Sequence, residues 1–108
     1  MMRIDLLSIF PEIFAGPLQY SIISRAQEKG LLKIYNHDIR DYAFDKHRMV
    51  DDRPYGGGPG MIMKFEPIWH ALVDIREKGP ADMEPRIILL TPKGVPYNQE
   101  LALELAEN

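Results

Sequence analysis

The segment Asp51-Asp52-Arg53-Pro54-Tyr55-Gly56-Gly57-Gly58-Pro59-Gly60-Met61 holds the densest set of residues in this chain that could do chemistry. Half of the 8 glycines fall between Gly56 and Gly60. Such density admits positive φ angles and lets backbone N–H groups approach a ligand with no side chain between them. Pro54 and Pro59 restrict the same segment, so a shaped loop is expected. Asp51 and Asp52 can accept hydrogen bonds from base edges or amines, and the planar fork of Arg53 can grip phosphate or carboxylate. His47, between Lys46 and Arg48, is the best titratable candidate nearby. The plain alternative is a surface loop with turn glycines. For the basic run through Arg40, Lys46, His47, Arg48 and Arg53, the alternative is a solvated stretch paired with its interleaved aspartates.

Two named motifs are excluded. A P-loop needs Gly-Lys followed by Ser or Thr, whereas Gly60 is followed by Met61. The dinucleotide fingerprint would place a glycine at 61, and no predicted strand leads into the segment. No metal site is expected. His37 and His70 are read as bland, without metal-ligand spacing, and Asp51 with Asp52 offers too few oxygens for a hard cation unless substrate phosphates help. A second candidate is Leu89-Leu90-Thr91-Pro92-Lys93-Gly94, read as a buried strand ending in a tight turn. Ligands collect at the carboxyl ends of strands in open α/β sheets, and a loop there can offer backbone groups to an adenine ring. An ordinary turn is the alternative.

The elements that must position these residues follow from periodicity. Arg3–Phe10 reads as a mostly apolar strand stopped by Pro11, and near-continuous apolar runs suit a parallel sheet. A helix is expected from Pro17, with Leu18, Ile22, Ile23 and Ala26 as its apolar stripe and Gly30 at its carboxyl end. Leu31–Asn36 reads as a second strand, giving a βαβ unit. From His37 to Lys64 periodicity is lost over a length unusual for a structureless loop. A helix is then expected from Glu66-Pro67 to Lys78, with Phe65, Ile68, Trp69, Leu72 and Val73 at helical spacing and Trp69 in the core. Arg86–Thr91 is the clearest buried strand. Asn98 caps a last helix that carries Leu101 and Leu105 on one face. Three strands and about three helices make a small α/β unit, expected to be unfinished because usual sheets have about five strands.

Composition sets the outer bounds. The chain has 108 residues, a net charge of -3, and 45% apolar against 27% charged residues. One ordered domain fits, and intrinsic disorder does not. No apolar run approaches the roughly 20 residues of a membrane span, and no secretory signal is visible. The chain has 0 cysteines, which excludes disulfides, zinc thiolates and thiol nucleophiles and suits a cytoplasmic location. The acidic balance argues against nucleic-acid binding by bulk charge.

In order along the chain stand Ser8-Ile9-Phe10-Pro11-Glu12-Ile13-Phe14, Arg25-Ala26, Gly30-Leu31-Leu32, Arg40-Asp41 and Asp45-Lys46-His47-Arg48, leading into Val50 and the glycine-proline segment. This pattern resembles the amino-terminal part of the bacterial tRNA (guanine-N1)-methyltransferases, which modify the guanine beside the anticodon. The resemblance implies an α/β, parallel-sheet SPOUT methyltransferase domain, working as a homodimer on tRNA with S-adenosylmethionine as cofactor. Residues 1–108 would be the amino-terminal part of that domain. The trefoil knot, two later cofactor loops, the catalytic base and the carboxyl-terminal tRNA-binding domain would lie beyond Asn108, so no catalytic residue is expected within the chain and its activity alone is not expected. Leu89, Leu90, Thr91, Pro92 and Gly94 would form the first cofactor loop. The family usually shows Leu-Ser-Pro-Gln-Gly there; Thr91 keeps the hydroxyl, and Lys93 departs by adding a charge. Tyr55, Gly56, Gly57, Gly58, Pro59 and Gly60 would form a loop beside the guanine or the knot, with Asp51, Arg53 and His47 as supporting polar groups. From a different class, a non-catalytic binding or dimerisation module keeps the same scaffold. A metal-assisted phosphate enzyme built on Asp51 and Asp52 is a third reading. The incomplete sheet predicts self-association through apolar helix faces.

Overall fold

A computed structural model describes residues 2–43, 51–52, 62–80 and 84–107, with the backbone alone at 51, 52 and 62. Strand β1 (Met2–Ser8) lies parallel to β2 (Leu32–Asp38), in register from Met2↔Leu32 to Ser8↔Asp38. The connection between them begins with two 3-10 turns, Pro11–Phe14 and Pro17–Gln19, each opened by a proline whose missing N–H is not needed there. Tyr20 is extended, at φ -127 and ψ 157, so helix α1 (Ser21–Glu28) starts at Ser21 rather than Pro17. Its expected apolar stripe is only partly covered: Leu18 and Ala26 are half-buried, while Ile22 and Ile23 are exposed.

The carboxyl end of α1 is closed as expected from Gly30. This glycine stands at φ 72, its N–H bonds to the Gln27 carbonyl at 3.1 Å, and the Leu31 N–H reaches the Ala26 carbonyl at 2.9 Å. That pair of bonds satisfies carbonyls the helix would otherwise orphan, and it turns the chain into β2.

The stretch expected to lack structure after His37 is ordered where it is described. β2 continues to Asp38, whose carboxylate accepts the Arg40 N–H at 2.9 Å and caps a 3-10 turn over Ile39–Tyr42. Farther on, β3 (Asp51–Asp52) pairs antiparallel with β4 (Ile62–Met63). β3 thus occupies the first two residues of the Asp51–Met61 segment, and Met61 excludes the dinucleotide fingerprint.

Helix α2 (Phe65–Lys78) buries Pro67, Ala71 and Ile75, a stripe of i, i+4 and i+8. Trp69 is not in the core. At about 100° per residue it stands on the opposite side from Ala71; it is 51% exposed and stacks on Phe65 with ring centroids 5.9 Å apart. The central cluster is Ile39 with Ala43, packed by Leu7, Ile9 and Ile68, so β1, the 3-10 turn and α2 meet there.

The largest departure lies at Arg86–Thr91. The strand expected there is not formed: the stretch belongs to neither sheet, and Leu89 and Leu90 are 79% and 90% exposed. A strand needs a hydrogen-bonded neighbour, and both two-stranded sheets among the described residues are made without this segment. Beyond it, the Asn98 side chain accepts the Leu101 N–H at 2.8 Å and opens α3 (Gln99–Ala106), on which Leu101 and Leu105 are half-buried.

Candidate functional site

The register of β1 and β2 sorts their side chains into two faces. Met2, Ile4 and Leu6 share one face with Leu32 and Ile34, while Arg3 and Asp5 share the other with Lys33, Tyr35 and His37. On this polar face Arg3 grips the Asp5 carboxylate with two donors, Nε to Oδ2 at 3.0 Å and Nη2 to Oδ1 at 3.1 Å. His37 Nε2 meets Asp5 Oδ1 at 2.8 Å, tying β2 to β1. The Arg3 guanidinium lies 4.2 Å from the Tyr35 ring centroid. Burial pushes the Asp5 pKa up, but the hydrogen bonds from Arg3 and His37 outweigh it and leave the carboxyl below its ordinary value.

A second tie joins the 3-10 turn to α2. Tyr42 donates its hydroxyl to Asp74 Oδ2 at 2.6 Å, and Lys78 donates to the same oxygen at 3.0 Å. Burial and then the neighbouring Asp74 push the Tyr42 phenol up to about 12, so it stays a donor throughout the neutral range. Asp74 is held below the ordinary carboxyl range by those two donors.

The carboxyl ends of β1 and β2, where α/β sheets gather ligands, are closed by side chain to backbone bonds. Asn36 Nδ2 donates to the Pro11 carbonyl at 2.6 Å. Arg40 Nη1 donates to the Ile9 carbonyl at 2.6 Å while its guanidinium lies over the Phe10 ring. Arg40 thus fixes the chain leaving β1 against the turn that leaves β2. His37, expected to be bland, belongs to the polar face, and sequence reasoning also passed over Asp5, Asn36 and the Tyr42–Asp74 pair. A signal existed for His37 and Asp5: Arg3/Asp5 and Lys33/Tyr35/His37 alternate at period two.

The sequence-predicted site residues fall into two groups. His47, Arg53, Tyr55, Gly56, Gly57, Gly58, Pro59 and Gly60 lie outside the described residues, and of Asp51 the backbone alone is described, in β3. In the other group, Leu89 and Leu90 lead exposed into a turn at Thr91–Gly94. The Gly94 N–H closes it on the Thr91 carbonyl at 3.1 Å, and the Lys93 N–H reaches the Thr91 hydroxyl at 3.3 Å. Pro92 and Gly94 occupy the turn positions those residues favour. A Cβ at Gly94 would stand 3.4 Å from the Thr91 carbonyl oxygen and 3.6 Å from the Thr91 Cγ2, in ordinary van der Waals contact with the turn. Among the described residues, no group of three or more His, Asp or Glu could hold a metal ion, and no helix is long and apolar enough to cross a membrane.

Residues 2–108 match the family model described as tRNA (Guanine-1)-methyltransferase TrmD. A tRNA (guanine-N(1)-)-methyltransferase of Geobacter sp. (strain M21) is 50% identical over 105 residues, covering 97% of this chain and 41% of the relative. The protein of the same name from Chloroflexus aggregans is 54% identical over 107 residues, covering 97% and 40%. The chain thus spans about two-fifths of the length of these relatives. The crystal structure of tRNA (m1G37) methyltransferase from Aquifex aeolicus superposes with a TM-score of 0.85 at 36% identity, over 99% of this chain and 47% of that one.

Proposed function

The chain belongs to the tRNA (guanine-1)-methyltransferase family, and from that premise we propose that it is the amino-terminal part of an enzyme that methylates N1 of the guanine beside the anticodon of tRNA. The observation that carries the reading is the continuous family match over residues 2–108, with the glycine-proline segment inside it. On this reading S-adenosylmethionine is the methyl donor, the enzyme works as a homodimer in the cytoplasm, and tRNA is its partner. The chain alone transfers no methyl group.

Leu89 and Leu90, exposed beside a closed turn, offer apolar surface to an adenine ring, and the turn Thr91–Gly94 offers backbone groups. This supports the cofactor role that the family resemblance implies for Thr91, Pro92 and Gly94. When bound, S-adenosylmethionine supplies an electrophilic methyl group. Guanine N1 must lose its proton as it attacks, which requires a carboxylate base and a cation facing O6. We assign neither to this chain; on this reading Asp51, Arg53 and His47 are supporting groups, and Tyr55–Gly60 serves the guanine or the knot. What these residues contribute is position.

The test is calorimetric titration with S-adenosylmethionine, with adenosine as control. It is run on a chimera in which this sequence replaces the matched part of the Geobacter relative. One-to-one binding per chain, lost in Gly94→Val, is the expected result. A folded chimera that fails to bind, or binds equally well with Val at 94, overturns the reading.

A further inference from the structure

Helix α2 has a second apolar face that the core does not use. Its core side is Pro67, Ala71 and Ile75. On the far side Phe65 and Trp69 stack with an interplanar angle of 21° and stay 67% and 51% exposed. Helical spacing carries that stripe on past half-buried Val73 to exposed Arg76. Lys64 stands at its other end, directly after β4. Glu66, His70 and Glu77 lie along one flank.

We propose that the Phe65–Trp69 pair is a stacking platform for an unpaired base of the RNA substrate, with Lys64 and Arg76 meeting the flanking phosphates. The inference rests on the tRNA-modifying role above and adds a contact surface to it. Stacking on exposed aromatic rings is how proteins hold single-stranded RNA without reading its sequence, and cations beside the rings track the backbone. Arg76 is paired with Glu84, but both side chains are more than half exposed, so a phosphate can replace that carboxylate at little cost. The chain is acidic as a whole, so affinity must come from such a local arrangement and not from bulk charge.

Trp69 is the chain's 1 tryptophan, so its emission reports on this face alone. The chain is titrated with a labelled single-stranded RNA of mixed sequence and with a duplex of equal length. Expected are saturable quenching by the single strand, weaker quenching by the duplex, and about tenfold weaker binding by anisotropy in Trp69→Leu and in Phe65→Leu. Phe65→Leu keeps the fluorophore, and unchanged far-ultraviolet circular dichroism shows that each variant is folded. RNA binding that leaves the emission unmoved, or that both variants retain, overturns the proposal; so does absence of RNA binding. A blue shift that grows with protein concentration in the absence of RNA also overturns it, since a second copy would then cover the face. Cofactor binding by the chimera tests the methyltransferase reading separately.

Discussion

Replacing Ile39 probes the contact on which the described fold turns. Its side chain is 5% exposed and packs with Ala43, Leu7, Ile9 and Ile68, so it joins β1, the 3-10 turn and α2 at one point. A domain of this length has about 5–15 kcal/mol of stability. The buried apolar residues among those described are Ile39, Ala43, Pro67, Ala71 and Ile75, few for a chain of this length, which places it near the lower end. Ile39→Val removes one methylene and should cost about 1 kcal/mol; Ile39→Ala should cost about 3 kcal/mol, because the void adds to the lost burial. Starting from about 5 kcal/mol, the alanine variant retains about 2 kcal/mol, enough to leave a few per cent unfolded at 25 °C. Urea unfolding followed by circular dichroism measures both. The midpoint should fall in the order wild type, Val, Ala, with the slope unchanged. An Ile39→Ala cost below about 1 kcal/mol at constant slope would show that Ile39 is not the packing centre argued above.

Three other outcomes follow from the polar ties and the helix end. Asp5 has its pKa lowered on folding, so its contribution is present above the unfolded carboxyl value near pH 4 and is lost as pH falls through the folded value. Asp5→Asn should therefore destabilise the chain at pH 7, and the gap to wild type should close on acidification below about pH 4; a gap constant with pH contradicts the Arg3–Asp5–His37 tie. Among the 5 tyrosines, Tyr42 should ionise late, at about 12, in an ultraviolet titration of the folded chain. That late step should move down in Asp74→Asn, and a titration the substitution leaves unchanged would remove the Tyr42–Asp74 bond from the account. Gly30→Ala meets no atom within 4 Å but must adopt φ 72, so it should cost about 1 kcal/mol through the backbone alone. A neutral result in thermal melts would show that the helix end is not held as described.

The local elements were legible because each rests on short-range chemistry. Gly30 closes α1, Asn98 caps α3, and the apolar runs of β1 and β2 pair in parallel, whereas the helix expected from Pro17 begins at Ser21 after a 3-10 turn. What failed depended on partners distant in sequence. Arg86–Thr91 has the composition of a buried strand, but composition does not supply a neighbour to bond with. Trp69 shares helical spacing with Phe65 and Val73, which suggests a core position, but that spacing describes a real stripe on the side of α2 away from the core. His37 directly follows the strand Leu31–Asn36 that the sequence predicts, and its imidazole gains a role only when β2 extends to Asp38 and register sets it opposite Leu7 and within reach of Asp5. The family pattern could be read along almost the whole chain, since it consists of consecutive residues and needs no tertiary partner.

The proposed role, as a working amino-terminal part of a guanine-N1 tRNA methyltransferase, stands or falls on methyl transfer by the joined enzyme. The most direct measurement is mass spectrometry of nucleosides from a tRNA transcript incubated with S-adenosylmethionine and the Geobacter chimera. N1-methylguanosine is expected at the position beside the anticodon, with none when that guanine is replaced by adenine and none from the chain alone. A folded, cofactor-binding chimera that leaves the transcript unmethylated, or methylates a different atom or position, would contradict it.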